Sequence, residues 1–138
     1  MKRVLVVANR TLCEQHLLDE LRRRRSEGAV QFHFLVPATH PHGTWTDSQA
    51  EGQAKARLAE VLDTTAVGGI AATGEIGDAN PVYAVGDVLR REPFDEIIVS
   101  TLPVGTSRWL GQNVVHRIRS RFGLPVTHVL AEAALTSH

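Results

Sequence analysis

Short runs of β-branched and aliphatic residues alternate along this chain with longer stretches in which apolar residues recur every three or four positions. The first pattern predicts strands covered on both faces; the second predicts helices with one inner stripe. Arg3–Ala8 is a continuous apolar run, and Val30–Val36 is a second that stops at Pro37. Ile70–Ile76 is thinner in apolar residues and carries Gly74, which suits an edge strand. Phe94–Ser100 leads into a short apolar strand, and Pro125–Leu130 forms the last one.

The helical stripes lie between these runs. Leu17, Leu18 and Leu21 form the first, after Thr11-Leu12-Cys13-Glu14, which has the form of a capping box, and before the stop at Gly28. Ala50, Ala54, Leu58, Val61 and Leu62 predict a helix from about Asp47 to Asp63, again opened by a capping-box pattern at Thr46-Asp47-Ser48-Gln49. Asn80-Pro81 supplies a cap and a first helical residue for the stripe Val82, Val85, Val88 and Leu89. Leu110, Val114, Val115, Ile118 and Phe122 predict a last helix beginning near Ser107, its cap, and ending at Gly123 and Pro125. Ala38–Thr46 reads as a loop and Ala131–His138 as a tail. The order βαβαβαβαβ implies an α/β sandwich around a mostly parallel sheet. Ligands of such sheets collect at the carboxyl ends of strands, where the strand order reverses.

Composition narrows the function classes. A length of 138 residues suits one domain, and 43% hydrophobic residues is an ordinary globular share. No apolar run approaches the roughly 18 residues needed to span a bilayer. The basic tip Met1-Lys2-Arg3 precedes a run too short for an export signal, so a cytoplasmic location is the default expectation. Fifteen Lys and Arg balance fifteen Asp and Glu, which favours neither nucleic acid nor an anionic membrane as partner. The run Arg22-Arg23-Arg24-Arg25 is expected to be solvated at a helix end, where it suits the dipole. Cys13, the single cysteine, cannot form an internal disulfide, and its place in a first helical turn more readily suits a passive small residue than a thiolate.

Candidate chemistry concentrates in loops that follow strands. Ser100-Thr101-Leu102-Pro103-Val104-Gly105-Thr106-Ser107-Arg108 runs into the last helix, where free amides attract anions. Gly105 permits close backbone approach, and Thr106, Ser107 and Arg108 add donors, so the loop could hold a phosphate. Ser107 could equally be a plain cap beside a solvated Arg108. Ala8-Asn9-Arg10-Thr11 has the same geometry: Asn9 could bond a ribose or base edge and Arg10 a phosphate, or both could be ordinary turn residues. Gly77-Asp78-Ala79-Asn80 is a third candidate, more commonly structural. His40-Pro41-His42 lacks a third metal ligand nearby. His33 and His128 fall in strands and suit partly buried positions, while His116 and Arg117 fall on the outer half of the last helix. Trp45 and Trp109 stand beside loops. No nucleophile elbow, Walker loop or complete dinucleotide fingerprint occurs.

Three stretches carry a family resemblance. They are Val4–Arg10, Gly77-Asp78-Ala79-Asn80-Pro81-Val82, and Ser107-Arg108-Trp109-Leu110-Gly111 with Leu124-Pro125-Val126. Through them the chain resembles the universal stress proteins, within the adenine-nucleotide-binding α/β folds. Leu5-Val6-Val7-Ala8, Ser100-Thr101-Leu102-Pro103 and Phe122–Val129 are most similar to a bacterial branch of that family. The resemblance implies a three-layer, Rossmann-like sandwich with five strands in the order 3-2-1-4-5. It also implies a switch point between the first and fourth strands, and a homodimer paired through the last strand. It carries departures too. ATP-binding members have an acidic residue where this chain has Asn9. Their last loop has the form Gly-x2-Gly-x9-Gly followed by Ser or Thr, whereas here Ser100 and Pro103 stand near the first two glycines and Gln112 follows Gly111. These differences argue against ATP held in the family's usual manner. AMP, ATP bound otherwise, another adenylate, a smaller anion or no nucleotide all stay open.

The leading expectation is a binding or signalling module. Its ligand-facing residues would be Ala8, Asn9, Arg10, Thr11, Gly105, Thr106, Ser107 and Arg108, with Val36 and Pro37 as an apolar edge. Gly77, Asp78, Ser100, Thr101, Gly111 and Asn113 complete the candidate set. The alternatives are a homodimeric interaction protein with a vestigial pocket and, least favoured, a slow nucleotide hydrolase, for which no acid–base group emerges from these loops.

Overall fold

The computed structural model describes residues 1–12, 14–38, 47–101 and 113–130. Five strands, β1 (Lys2–Val7), β2 (Val30–Pro37), β3 (Ala72–Gly77), β4 (Glu96–Thr101) and β5 (Val126–Leu130), form one sheet in the order β3-β2-β1-β4-β5. Every neighbouring pair is parallel. Among the described residues four helices connect them: α1 (Gln15–Glu27), α2 (Asp47–Val67), α3 (Pro81–Arg91) and α4 (Val114–Phe122). This is the α/β layering that the alternating periodicities imply and the strand order that the resemblance implies. The thin strand with Gly74 is indeed at an edge.

The inner strands are apolar on both faces because both faces are covered. Val4, Val6, Phe32, Phe34 and Ile98 pack with Leu17, Leu18 and Leu21 of α1 and Ala54 and Val61 of α2. On the other face Leu5, Val7, Leu35, Ile97 and Val99 meet Val82, Val85 and Val88 of α3 and Val114, Val115 and Ile118 of α4. Phe32 and Phe34 are fully enclosed, each contributing roughly 2–3 kcal/mol of transfer free energy. None of the described helices is long and apolar enough to cross a membrane.

Helix ends follow local chemistry where nothing distant competes. Asn80 caps α3 as its sequence signal predicts, its side-chain oxygen accepting from the amides of Val82 and Tyr83. α2 runs four residues past its expected end at Asp63. Thr65 donates its hydroxyl back to the Val61 carbonyl, and the turn waits for Gly69, whose φ of +73° suits glycine.

Two helix starts differ from expectation. α1 begins at Gln15, and its N-cap Glu14 makes no side-chain capping bond. The Thr11 hydroxyl bonds Ser100 on β4 instead, so the capping box at Thr11–Glu14 is not formed. The apolar helix Val114–Phe122 starts at Val114, not near Ser107. Asn113 has φ 55° and ψ 36°, a left-handed conformation that a right-handed helix cannot pass through. Asn113 holds the N-cap position of α4, and Ser107 lies outside the described residues.

The arginine run is only partly solvated. Arg22 and Arg23 pair with acids on their own helix, but Arg24 reaches under α1 to Glu96 of β4. With 11% of its side chain exposed, Arg24 is an interior ion.

Candidate functional site

The sheet order places β1 beside β4, with β2 and β3 on one flank and β5 on the other. A parallel sheet carries the carboxyl ends of β1 and β4 to the same edge. Here the strand order reverses, and the chain leaves β1 through Ala8, Asn9, Arg10 and Thr11.

The turn is built from its own polar groups. The Ala8 amide donates to the Leu35 carbonyl at 3.2 Å, the last link to β2. Leu12 then donates to the Asn9 carbonyl and Glu14 to that of Thr11, bending the chain toward α1. Asn9 is 7% exposed. Its amide nitrogen donates to the Pro37 carbonyl at 2.7 Å, and its oxygen accepts from Arg57 of α2 at 2.6 Å. A carbonyl only accepts and a guanidinium only donates, so these partners fix the orientation of the amide. Asn9 thus ties the end of β1 to the end of β2 and to α2.

Across the switch point, the Thr11 and Ser100 hydroxyls are 2.6 Å apart and buried. The next residue, Thr101, has its hydroxyl 2.7 Å from His128 Nε2 on β5. Burial, then the nearby Arg119 charge, lowers the His128 pKa from its ordinary value. Arg10 is exposed at the turn.

The structure separates the other candidates. Val36 is fully buried in the core facing α1 and α2, while Pro37 contributes its carbonyl to Asn9. Gly77 and Asp78 lie beyond β2, at the end of β3. A Cβ on Gly77 would stand 2.8 Å from Leu35 Cδ1 and 2.9 Å from Ala84 Cβ, so this glycine lets α3 approach the sheet. Asp78 accepts from the Asn80 amide at 2.8 Å and shapes the entry to α3. Asn113 precedes α4. Gly105, Thr106, Ser107, Arg108 and Gly111 lie outside the described residues, as do Cys13, the His40–His42 pair, Trp45, Trp109 and the tail.

Two features escaped the sequence reading. Arg57 is the first, although its spacing from Ala54 and Val61 puts it beside the inner stripe of α2. The second is the set of partners around His33, which lies in a strand as expected and is 8% exposed, with Thr73 at 2.7 Å and Glu75 at 2.8 Å. Glu92 is close enough to complete a possible ligand triad with them. Its carboxylates are already neutralised, however, Glu75 by Arg91 and Glu92 by Arg3. A cation would have to displace two guanidiniums. Burial disfavours the Glu75 charge, yet the bonds from His33 and Arg91 lower its pKa overall.

No family model matches the chain, and no curated protein is similar enough in sequence to match it. Solved structures do share its fold. A universal stress protein family protein from Arabidopsis thaliana, solved with AMP bound, superposes with a TM-score of 0.68 at 15% identity, covering 99% of this chain and 95% of that one. A universal stress protein from Archaeoglobus fulgidus gives 0.65 at 14% identity over 94% and 93% of the two chains. A family member from Burkholderia pseudomallei gives 0.63 at 11% identity over 93% and 95%. The chain therefore shares the fold of the universal stress protein structures.

Proposed function

We propose that this chain is a binding module of universal-stress type whose ligand is an adenine nucleotide or another phosphate-bearing molecule held at the carboxyl ends of β1 and β4. The observation that carries this reading is the switch point itself. The strand order reverses between β1 and β4, where ligands of open parallel sheets collect. Asn9, Arg10, Thr11, Ser100 and Thr101 supply polar groups there. The similar Arabidopsis protein was solved with AMP, which makes an adenylate the first ligand to try. In this reading the chain from Gly105 to Arg108, downstream of β4, approaches the ligand from the second side.

A ligand that prefers the folded state raises its stability, by about 2.7 kcal/mol at a hundredfold excess over Kd. AMP, ADP or ATP at millimolar concentration should therefore raise the thermal midpoint. No shift with any of the three would remove the nucleotide from this account.

One observation favours a second reading, a homodimeric interaction protein with a nucleotide-free pocket. Asn9, Thr11 and Ser100 already satisfy their side chains within the protein, and β5 has a sheet neighbour on one side alone. In that reading the dimer pairs through β5. Light scattering that reports a monomer at working concentrations would end it.

A further inference from the structure

Arg57 differs from most of the described guanidiniums that make side-chain hydrogen bonds, although Arg25 and Arg119 also donate to neutral oxygens, each to a backbone carbonyl. Arg3, Arg22, Arg23, Arg24, Arg90 and Arg91 each lie against a carboxylate. Arg57 instead donates to two neutral amide oxygens, Asn9 Oδ1 at 2.6 Å and Gln53 Oε1 at 3.0 Å. No carboxylate lies within ion-pair distance of it among the described residues. Among the described residues its charge is therefore carried half-buried and without an ion pair, beside the end of β1.

Arg10 adds to the imbalance. It is exposed one residue after Asn9, and its charge acts on Arg57. Burial first, and repulsion from Arg10 second, make the Arg57 charge harder to hold than an ordinary arginine's. A bound anion relieves both effects at once. The neutrality of Asn9 is what keeps the site open, because a carboxylate in its place would form the ion pair that Arg57 lacks. Arg57 also lines a groove of about 630 Å³ along α2 with Gly52, Gln53, Ala56, Glu60 and Asp63. The two acids follow Arg57 along the helix, so an anionic group is favoured at the Asn9 end and disfavoured farther along.

Resting on the ligand reading above, we propose that Arg57, positioned by Asn9 and supported by Arg10, is the side chain that holds the ligand's phosphoryl group over the end of β1. Guanidinium suits this task because it presents paired donors to phosphate oxygens. Two of its donors are occupied by Asn9 and Gln53, which leaves others of the five for an anion.

Isothermal titration of the full chain with inorganic pyrophosphate, AMP and adenosine tests this. Arg57→Gln should weaken both AMP and pyrophosphate by about tenfold or more, the scale of a lost charge-assisted bond. Arg10→Gln, at an exposed position that cannot disturb the core, should weaken both by a smaller factor. Asn9→Asp keeps the arginine but pairs it internally, and should weaken both as severely as Arg57→Gln. Arg121→Gln, on the exposed face of α4, should change nothing. Circular dichroism checks that each variant is folded. Unaltered pyrophosphate and AMP affinity in folded Arg57→Gln, or in Asn9→Asp, overturns the assignment. If AMP binds but ignores Arg57, this inference fails while the nucleotide reading stands. If pyrophosphate binds through Arg57 and neither AMP nor adenosine binds, the anion site stands and the adenylate reading falls.

Discussion

Thr11 and Ser100 are each 2% exposed, and each hydroxyl has the other as its partner at 2.6 Å. Removing one leaves the other buried with an unmet bond, which costs about 1–3 kcal/mol, whereas replacing both with apolar groups of similar shape is close to neutral. Thr11→Val and Ser100→Ala should therefore each lower stability by about 1–2 kcal/mol. The double variant should be more stable than the sum of the two losses allows. Urea denaturation of the four proteins measures this coupling, and strictly additive losses would show that the pair is not a unit. The same bond explains why the capping-box pattern at Thr11 misleads. A hydroxyl reads as a local cap in sequence, but β4 lies 89 residues away and offers a buried partner. Asn80 has no such competitor, and its cap forms as its neighbours predict.

The link between elements is clearest at Glu96. Its carboxylate, 7% exposed, receives Lys2 of β1 at 2.8 Å and Arg24 of α1, with the Thr127 hydroxyl of β5 at 3.3 Å. Burial penalises the charge, but the bonds from Arg24 and Lys2 outweigh it and lower the pKa below its ordinary 4.5. As pH falls, the unfolded chain thus takes up this proton before the folded one does. The stabilisation is complete above the ordinary value and is lost as pH drops through the lower folded value. Glu96→Gln should lose about 3 kcal/mol at neutral pH, the scale for breaking a buried pair. That deficit should shrink toward about pH 3, where wild type has lost part of the same contribution. A deficit independent of pH would show that packing, not charge, sets the effect. Periodicity revealed the elements themselves because apolar spacing is local. It could not reveal that Arg24, inside a run resembling solvated charge, belongs to Glu96, or that Arg57 belongs to Asn9. Both pairs are created only when the layers stack.

For the molecule as a whole, the sheet order decides where binding is physically reasonable. Two layers of helices cover the faces of a parallel sheet, and the one interruption of its winding lies between β1 and β4. That order came from the family resemblance, since the alternation of strands and helices is compatible with several. The sheet itself bears it out, and the chain superposes on universal stress structures. The candidate positions after β1 and at the end of β4 do meet across that point, through Thr11 and Ser100. Those at Gly77 and Asp78 serve α3 instead. The most direct measurement is an amide chemical-shift titration of the ¹⁵N-labelled chain with AMP. The account predicts saturable shifts centred on Ala8–Thr11, Val36, Arg57 and Ser100–Thr101. Saturable shifts confined to α3, β3 or the outer face of α4, or no shifts at millimolar AMP, would contradict it.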